Sequence, residues 1–323
     1  MRLMDGLRFA LGTLSVLPVR VERVDRQVAG RAMALAPAVG LLLGLLAGPA
    51  ALLPGPPLLG AALALGLLAL LTRGLHLDGL ADLADGLGSG KPSEQALDIM
   101  KKSDIGPFGV MTLVLTLLVQ VAALADAGMW ALVTACVAGR LALTWACRSG
   151  VPAARPDGLG AMVAGTVRGP AVWLATVAAL LAAAVIGLLS APGSGIWAWT
   201  GPDRVAEFTK TYAFGEPCAP DAAASPACLD ALPPDLRSNG AITFMRPDEP
   251  QPARMVAVSG GSGAREGFSG VVVAPVALLA GLGAALLLLA HARRRLGGIT
   301  GDVLGALVET ATAATLVVYA ILG

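Results

Sequence analysis

Long apolar runs separated by short polar segments set the plan of this chain. Runs at about 32–53, 57–72, 109–125, 129–147, 171–191, 271–290 and 303–322 approach or reach the roughly 20 residues that a helix needs to cross a bilayer core. The pattern predicts an all-α fold: a polytopic transmembrane helical bundle of about seven spans. A shorter apolar run at 7–19 lies among arginines and is predicted to rest on the membrane as an N-terminal interfacial helix. Residues 192–270 break the pattern. They are rich in Pro, Gly, Ser and charge and follow neither the helical nor the strand period, so they read as a long polar insertion with the composition of a partly disordered segment. The transmembrane core is therefore expected in two parts, 1–191 and 271–323, with the 192–270 insertion between spans.

Composition agrees: 56% of residues are hydrophobic and 14% charged, against about 25% charged in soluble domains. A net charge of +1 gives no bulk electrostatic case for nucleic acid. Gly40, Gly44 and Gly48 form a double GxxxG pattern that marks a close helix–helix contact in the first span. LPGPP at 53–57 is an uncharged turn. Lys and Arg gather in the N-terminal segment and in the loops 73–108, 148–170 and 291–302, all on one side of a seven-span chain. By the positive-inside rule that side is the cytoplasm, and the insertion is extracytoplasmic. Cys218 and Cys228 fall in the insertion, where a disulfide can form; Cys136 and Cys147 fall in the fourth span and read as packing residues.

Against this apolar background the stretch 73–109, RGLHLDGLADLADGLGSGKPSEQALDIMKKSDIGPFG, stands out. Asp78, Asp82 and Asp85 are spaced i, i+4, i+7 and form one carboxylate stripe on a helix. Such a stripe is either an exposed acidic face or a site whose repulsion is relieved by a hard divalent cation. The small residues between the aspartates favour the second reading, because they let another helix or a ligand come close. Asp302 and Glu309 form a second acidic pair on one helix face, preceded by Gly297, Gly298 and Gly301; a glycine-rich helix start suits a phosphate. Arg140 sits inside the fourth span. A charge there is costly, so it is either a functional group or half of a structural ion pair. His76 points away from the Asp stripe and is expected to pack or hydrogen-bond. Asp98, Lys101, Lys102 and Asp104 are either a solvated loop or a phosphate clamp.

Three segments, RGLHLDGLADLADGL, IMKKSDIGPFGV and GGITGDVLGALVE, together resemble the cobalamin synthase family, the adenosylcobinamide-GDP ribazoletransferases. LGTLSVLPV near the N-terminus and the PAVGLL start of the first span are also similar. The resemblance covers about 1–190 and 271–323. It implies a Mg²⁺-dependent integral membrane transferase that joins adenosylcobinamide-GDP to α-ribazole, or to its 5′-phosphate, and releases GMP. The residues themselves supply candidate parts for that reaction, with Asp302 as a further metal ligand or as the base. Asp78, Asp82, Asp85 and Asp302 would hold the metal. Asp82, Asp302 and Arg140 would act in catalysis. Arg73, Lys101, Arg155, Gly297, Gly298 and Glu309 would bind substrate. The chain departs from many relatives in its Lys102-Ser103-Asp104 order, where an acid, a serine and a base are usual, and in its insertion. Expected partners are the two small-molecule substrates and membrane lipid, with room for a homo-oligomer and no nucleic acid. The expected location is the inner, cytoplasmic membrane, with the site facing the cytoplasm. A phosphotransferase acting on CDP-linked alcohols is the nearest rival, but its Asp-Gly then Ala-Arg pattern is missing here. A transporter is the rival from another class; it predicts charges near the midplane of several helices.

Overall fold

The computed structural model describes residues 2–21, 23–102, 104–190 and 270–323, together with three short strands between the last two segments. The chain divides into two units, 1–197 with 268–323 and 198–267. In the second unit β1 (Thr211–Ala213), β2 (Thr243–Phe244) and β3 (Arg254–Val256) form an antiparallel sheet in the order β1-β3-β2. The expected Cys218–Cys228 pairing lies outside the described residues.

The first unit is all helical. Its elements are α1 (Arg2–Leu14), α2 (Arg26–Ala47), α3 (Pro57–Leu71), α4 (Leu75–Gly88), α5 (Ser93–Ile99), α6 (Pro107–Ala127), α7 (Met129–Ala146), α8 (Gly158–Val163), α9 (Gly169–Leu189), α10 (Gly270–Leu296) and α11 (Gly301–Leu322). Among the described residues six helices are long and apolar enough to cross a membrane; the pair α3 and α4, bent by 89°, raises the count to seven. Leu115 and Leu118 on α6, and Leu174 and Leu181 on α9, are exposed, which water would not tolerate but lipid does. The protein is a multi-pass membrane protein.

Local chemistry fixes the helix starts. The Asp25 carboxylate accepts from the amides of Gln27 and Val28 at 2.9 Å and so begins α2 six residues before the apolar run becomes obvious. Pro57 and Pro107 occupy the first positions of α3 and α6, where a missing N–H costs nothing. α7 is the central helix, buried on nearly every residue from Ala131 to Ala146 and touching α2, α9, α10 and α11. Its approach to α2 depends on the predicted glycines: a Cβ at Gly44 would come 2.7 Å from the Val133 Cα, and Gly40 lies against the backbone of Cys136. Interhelical polar bonds join the layers: Thr144 donates to the Met33 carbonyl at 2.7 Å, and Trp145 Nε1 to Thr176 Oγ1 at 3.0 Å.

The longer linkers of this unit meet at one end of the bundle. Arg26 donates to the Ala164 carbonyl at 2.7 Å, Val16 N to the Leu71 carbonyl at 2.8 Å, and Arg295 to the Lys91 carbonyl at 3.3 Å. Segments 152–154 and 299 pair as a short bridge, with Ala154 N donating to Ile299 O and Ile299 N to Pro152 O, both at 3.0 Å. At the other end Gly48 meets Met129 and Gly60 meets Ala51. The Asp stripe on α4 and the start of α11 therefore lie at the same end.

Candidate active site

The site begins with the bend between α3 and α4. Arg73 (φ 55°) and Gly74 (φ 66°) both occupy the left-handed region. For Arg73 this costs roughly 1–2 kcal/mol, a strain that persists only when its surroundings impose it. The turn throws α4 across the end of the bundle and onto the first turns of α11. Two glycines permit the crossing. A Cβ at Gly79 would stand 2.8 Å from the Asp302 carbonyl oxygen and 2.9 Å from its Cα, and one at Gly305 would stand 3.1 Å from the His76 carbonyl oxygen. This close crossing carries Asp302 to the side of Asp78 and Asp82.

The Asp stripe is helical as the spacing predicts, and it runs from surface to interior: Asp78 is exposed, Asp82 half-buried and Asp85 buried. Asp82 pays for its position. Partial burial, and then the charges of Asp78, Asp302 and Asp85, push its carboxyl up to about 6 from an ordinary 3.8, while Arg155 opposes the shift. Arg155 stands 3.8 Å from Asp302 Oδ2 and also donates to the Leu97 carbonyl, so it ties the 148–157 loop to α5 and to the acidic group. Thr300 caps α11 by accepting from Val303 N at 3.2 Å and donates to Asp302 Oδ2, also at 3.2 Å.

Asp78 and Asp82 face an open cavity of about 770 Å³ between the end of α1, the α3–α4 bend and the segment before α6. Arg73 and Lys102 supply positive charge to its wall, Asp104 a further carboxylate, and Ser15 and Thr72 hydroxyls. Three acids and two bases lining one space of this size can hold an anion both through a bound cation and directly.

The structure redistributes several residues expected in the site. Both carboxylate oxygens of Asp85 are engaged by the start of α6, at 2.7 and 2.9 Å from the amides of Gly106 and Gly109. Arg140 is 1% exposed inside α7, away from the cavity; it is near enough to His76 and Glu309 to interact with their charge, and its Nε and Nη2 make no hydrogen bond. Glu309 accepts from Gln120 Nε2 at 2.8 Å and joins α11 to α6; it lies two turns beyond Asp302, about 10 Å along the helix. Gly298 is buried against the backbone of Pro152–Ala154, and Gly297 (φ 83°) makes the turn after α10. Lys102, not Lys101, lines the cavity. His76 is buried against α11, as its offset from the stripe predicts. Among the described residues no three acidic, histidine or cysteine side chains converge as a ready metal cage, so the four-aspartate cage is not preformed. Sequence reasoning named neither Ser15 nor Thr72 as a site residue: Ser15 lies within LGTLSVLPV, a stretch similar to the family, and Thr72 carries no motif signal; the pairing of Val16 N with the Leu71 carbonyl brings the two segments together at the cavity.

The model of the cobalamin-5-phosphate synthase family matches residues 6–206 and 237–320. The chain belongs to this family. An adenosylcobinamide-GDP ribazoletransferase of Frankia casuarinae is 39% identical over 331 residues, covering 97% of this chain and 93% of the relative. Enzymes of the same name from Nocardioides sp. and Corynebacterium efficiens are 46% and 40% identical over 57% and 62% of this chain, covering 82% and 73% of their own lengths. No solved structure matches. The chain is thus an enzyme, a transferase of cobalamin biosynthesis, and the transporter reading is set aside. At 97% coverage the Frankia alignment extends through most of the insertion, so this family includes relatives with a comparable segment.

Proposed function

We propose that this cobalamin-5-phosphate synthase family member joins adenosylcobinamide-GDP to α-ribazole or α-ribazole 5′-phosphate. The ribazole 3′-hydroxyl attacks the cobinamide-linked phosphorus, the bond to the GMP oxygen breaks, and adenosylcobalamin or its 5′-phosphate leaves with GMP. The observation that carries this reading is the meeting of Asp78, Asp82 and Asp302 beside a cavity walled by Arg73 and Lys102.

Mg²⁺ fits this donor set in a particular way. It prefers oxygen ligands and commonly binds through one or two carboxylates, completing its shell with water and substrate phosphate, so a full protein cage is not needed. Asp78 and Asp302 are the residues that would hold it, leaving the Asp82 carboxylate for the proton; when bound it would neutralise charge on the diphosphate. Arg73 and Lys102, which line the same cavity, bind phosphate oxygens. Arg155 orients Asp302. Asp82, with a carboxyl at about 6, is matched to accept the proton of the attacking hydroxyl near neutral pH. The cavity faces the cytoplasm, because Arg26, Arg73, Lys102, Arg155 and Arg293–Arg295 all belong to its end of the bundle.

Purified protein supplied with adenosylcobinamide-GDP, α-ribazole and Mg²⁺ should release GMP, and a chelator should stop it. Asp82→Asn should lower turnover by about 10²–10⁴-fold with membrane insertion intact. Release of CMP from a CDP-linked alcohol instead, or full activity in Asp82→Asn, would overturn the assignment.

A further inference from the structure

Asp85 closes the conspicuous Asp stripe, yet its surroundings differ from those of the other two. It is 8% exposed and does not line the cavity. Its Oδ2 accepts from the Gly106 amide at 2.7 Å and its Oδ1 from the Gly109 amide at 2.9 Å. Amides in the first turn of a helix lack intrahelical partners, and the helix dipole adds positive potential there, so a carboxylate from another element satisfies both needs. The sequence GPFG at the start of α6 is explained by this contact: a Cβ on Gly106 or Gly109 would run into the Asp85 carboxylate. Immediately before Gly106 come Lys102, Asp104 and Ile105, which form the cavity wall near Asp78 and Asp82.

We propose that Asp85 is a positioning residue: it fastens the start of α6 to α4 and so fixes the wall carrying Lys102 relative to the Asp78–Asp82 face, without holding the metal. The inference rests on reading that cavity as the diphosphate site. Each Asp85 oxygen keeps a second lone pair, but the group is buried and turned to the start of α6, whereas Asp78 and Asp82 line the cavity. Losing the fastening leaves two partly buried amides unsatisfied and frees the segment that bears Lys102.

The test uses the full-length enzyme and two variants. Asp85→Asn keeps the size but turns an NH₂ group toward one of the amides; Gly109→Ala keeps the aspartate itself but displaces its carboxylate. Hydrogen exchange in peptides covering 104–112 should speed up about tenfold or more in both variants. KM for adenosylcobinamide-GDP should rise by about tenfold, while the half-saturating Mg²⁺ concentration stays within about twofold of the parent's; Asp78→Asn should move the Mg²⁺ value instead. Unchanged exchange in Asp85→Asn, or a tenfold rise in half-saturating Mg²⁺ at unchanged KM, would overturn the proposal. If Asp85→Asn does not fold, Gly109→Ala decides by the same readings. Should the parent fail to turn over adenosylcobinamide-GDP, the cavity reading falls, while the exchange data still report whether Asp85 holds α6.

Discussion

At Asp82 the fold concentrates negative charge that water would disperse. Its carboxyl titrates at about 6 when folded, above the 3.8 of an exposed aspartate, so the folded protein holds this proton more tightly than the unfolded chain does. The sign follows: the cost of the charged form is absent below about pH 4, grows as pH rises and is complete above about pH 6. A divalent cation offsets that cost only where Asp82 is ionised. Mg²⁺ should therefore raise the melting temperature by about 2–4 °C near pH 7.5 and much less near pH 5, and turnover should fall as pH drops through 6. Thermal unfolding at the two pH values checks this; equal shifts at both would show that the ion binds elsewhere. Arg140 shows the converse. Its charge is the most conspicuous polar feature of the fourth span, but burial beside His76 and Glu309 places it in the interior of the bundle and not at the cavity.

Between elements, the decisive contact is the crossing of α4 on α11, and glycine makes it possible. Gly79→Ala would drive a methyl group into the Asp302 backbone, at a cost of about 1–3 kcal/mol, and would part Asp302 from Asp78 and Asp82. Turnover should collapse while the protein still inserts into membranes. Gly66→Ala on α3 is the matched control, since nothing lies within 4 Å of the added carbon: activity should hold, and helix stability should rise by up to about 1 kcal/mol. Equal loss of activity in both variants would mean that any glycine change perturbs insertion and that the crossing has no special role.

For the whole molecule, the stitched linkers define a polar end that contains every residue of the proposed site. In a cysteine-free background, Lys91→Cys and Asp157→Cys should react with an impermeant thiol reagent from the cytoplasmic side, and Gly55→Cys from the opposite side. The comparison is made in inverted and right-side-out vesicles. Labelling of Lys91→Cys and Asp157→Cys from opposite faces would break the shared reaction centre.

The sequence by itself determined the all-helical membrane class, the placement of the spans, the basic end, a close helix contact at the glycines of α2 and the membership suggested by three motifs; that α7 is the partner came from the packing. These are legible because hydropathy, charge bias and i, i+4, i+7 spacing are local properties of a chain. Tertiary structure alone decided which members of those motifs act together. Asp302 lies more than 200 residues from Asp82 and reaches it only because Gly79 and Gly305 let two helices touch. Asp85 shares a helical stripe with Asp78 and Asp82, but the start of α6 claims it; Glu309 shares a face with Asp302, but Gln120 on α6 binds it. A helical period says which side chains point the same way, and only the packed neighbours say what they meet there.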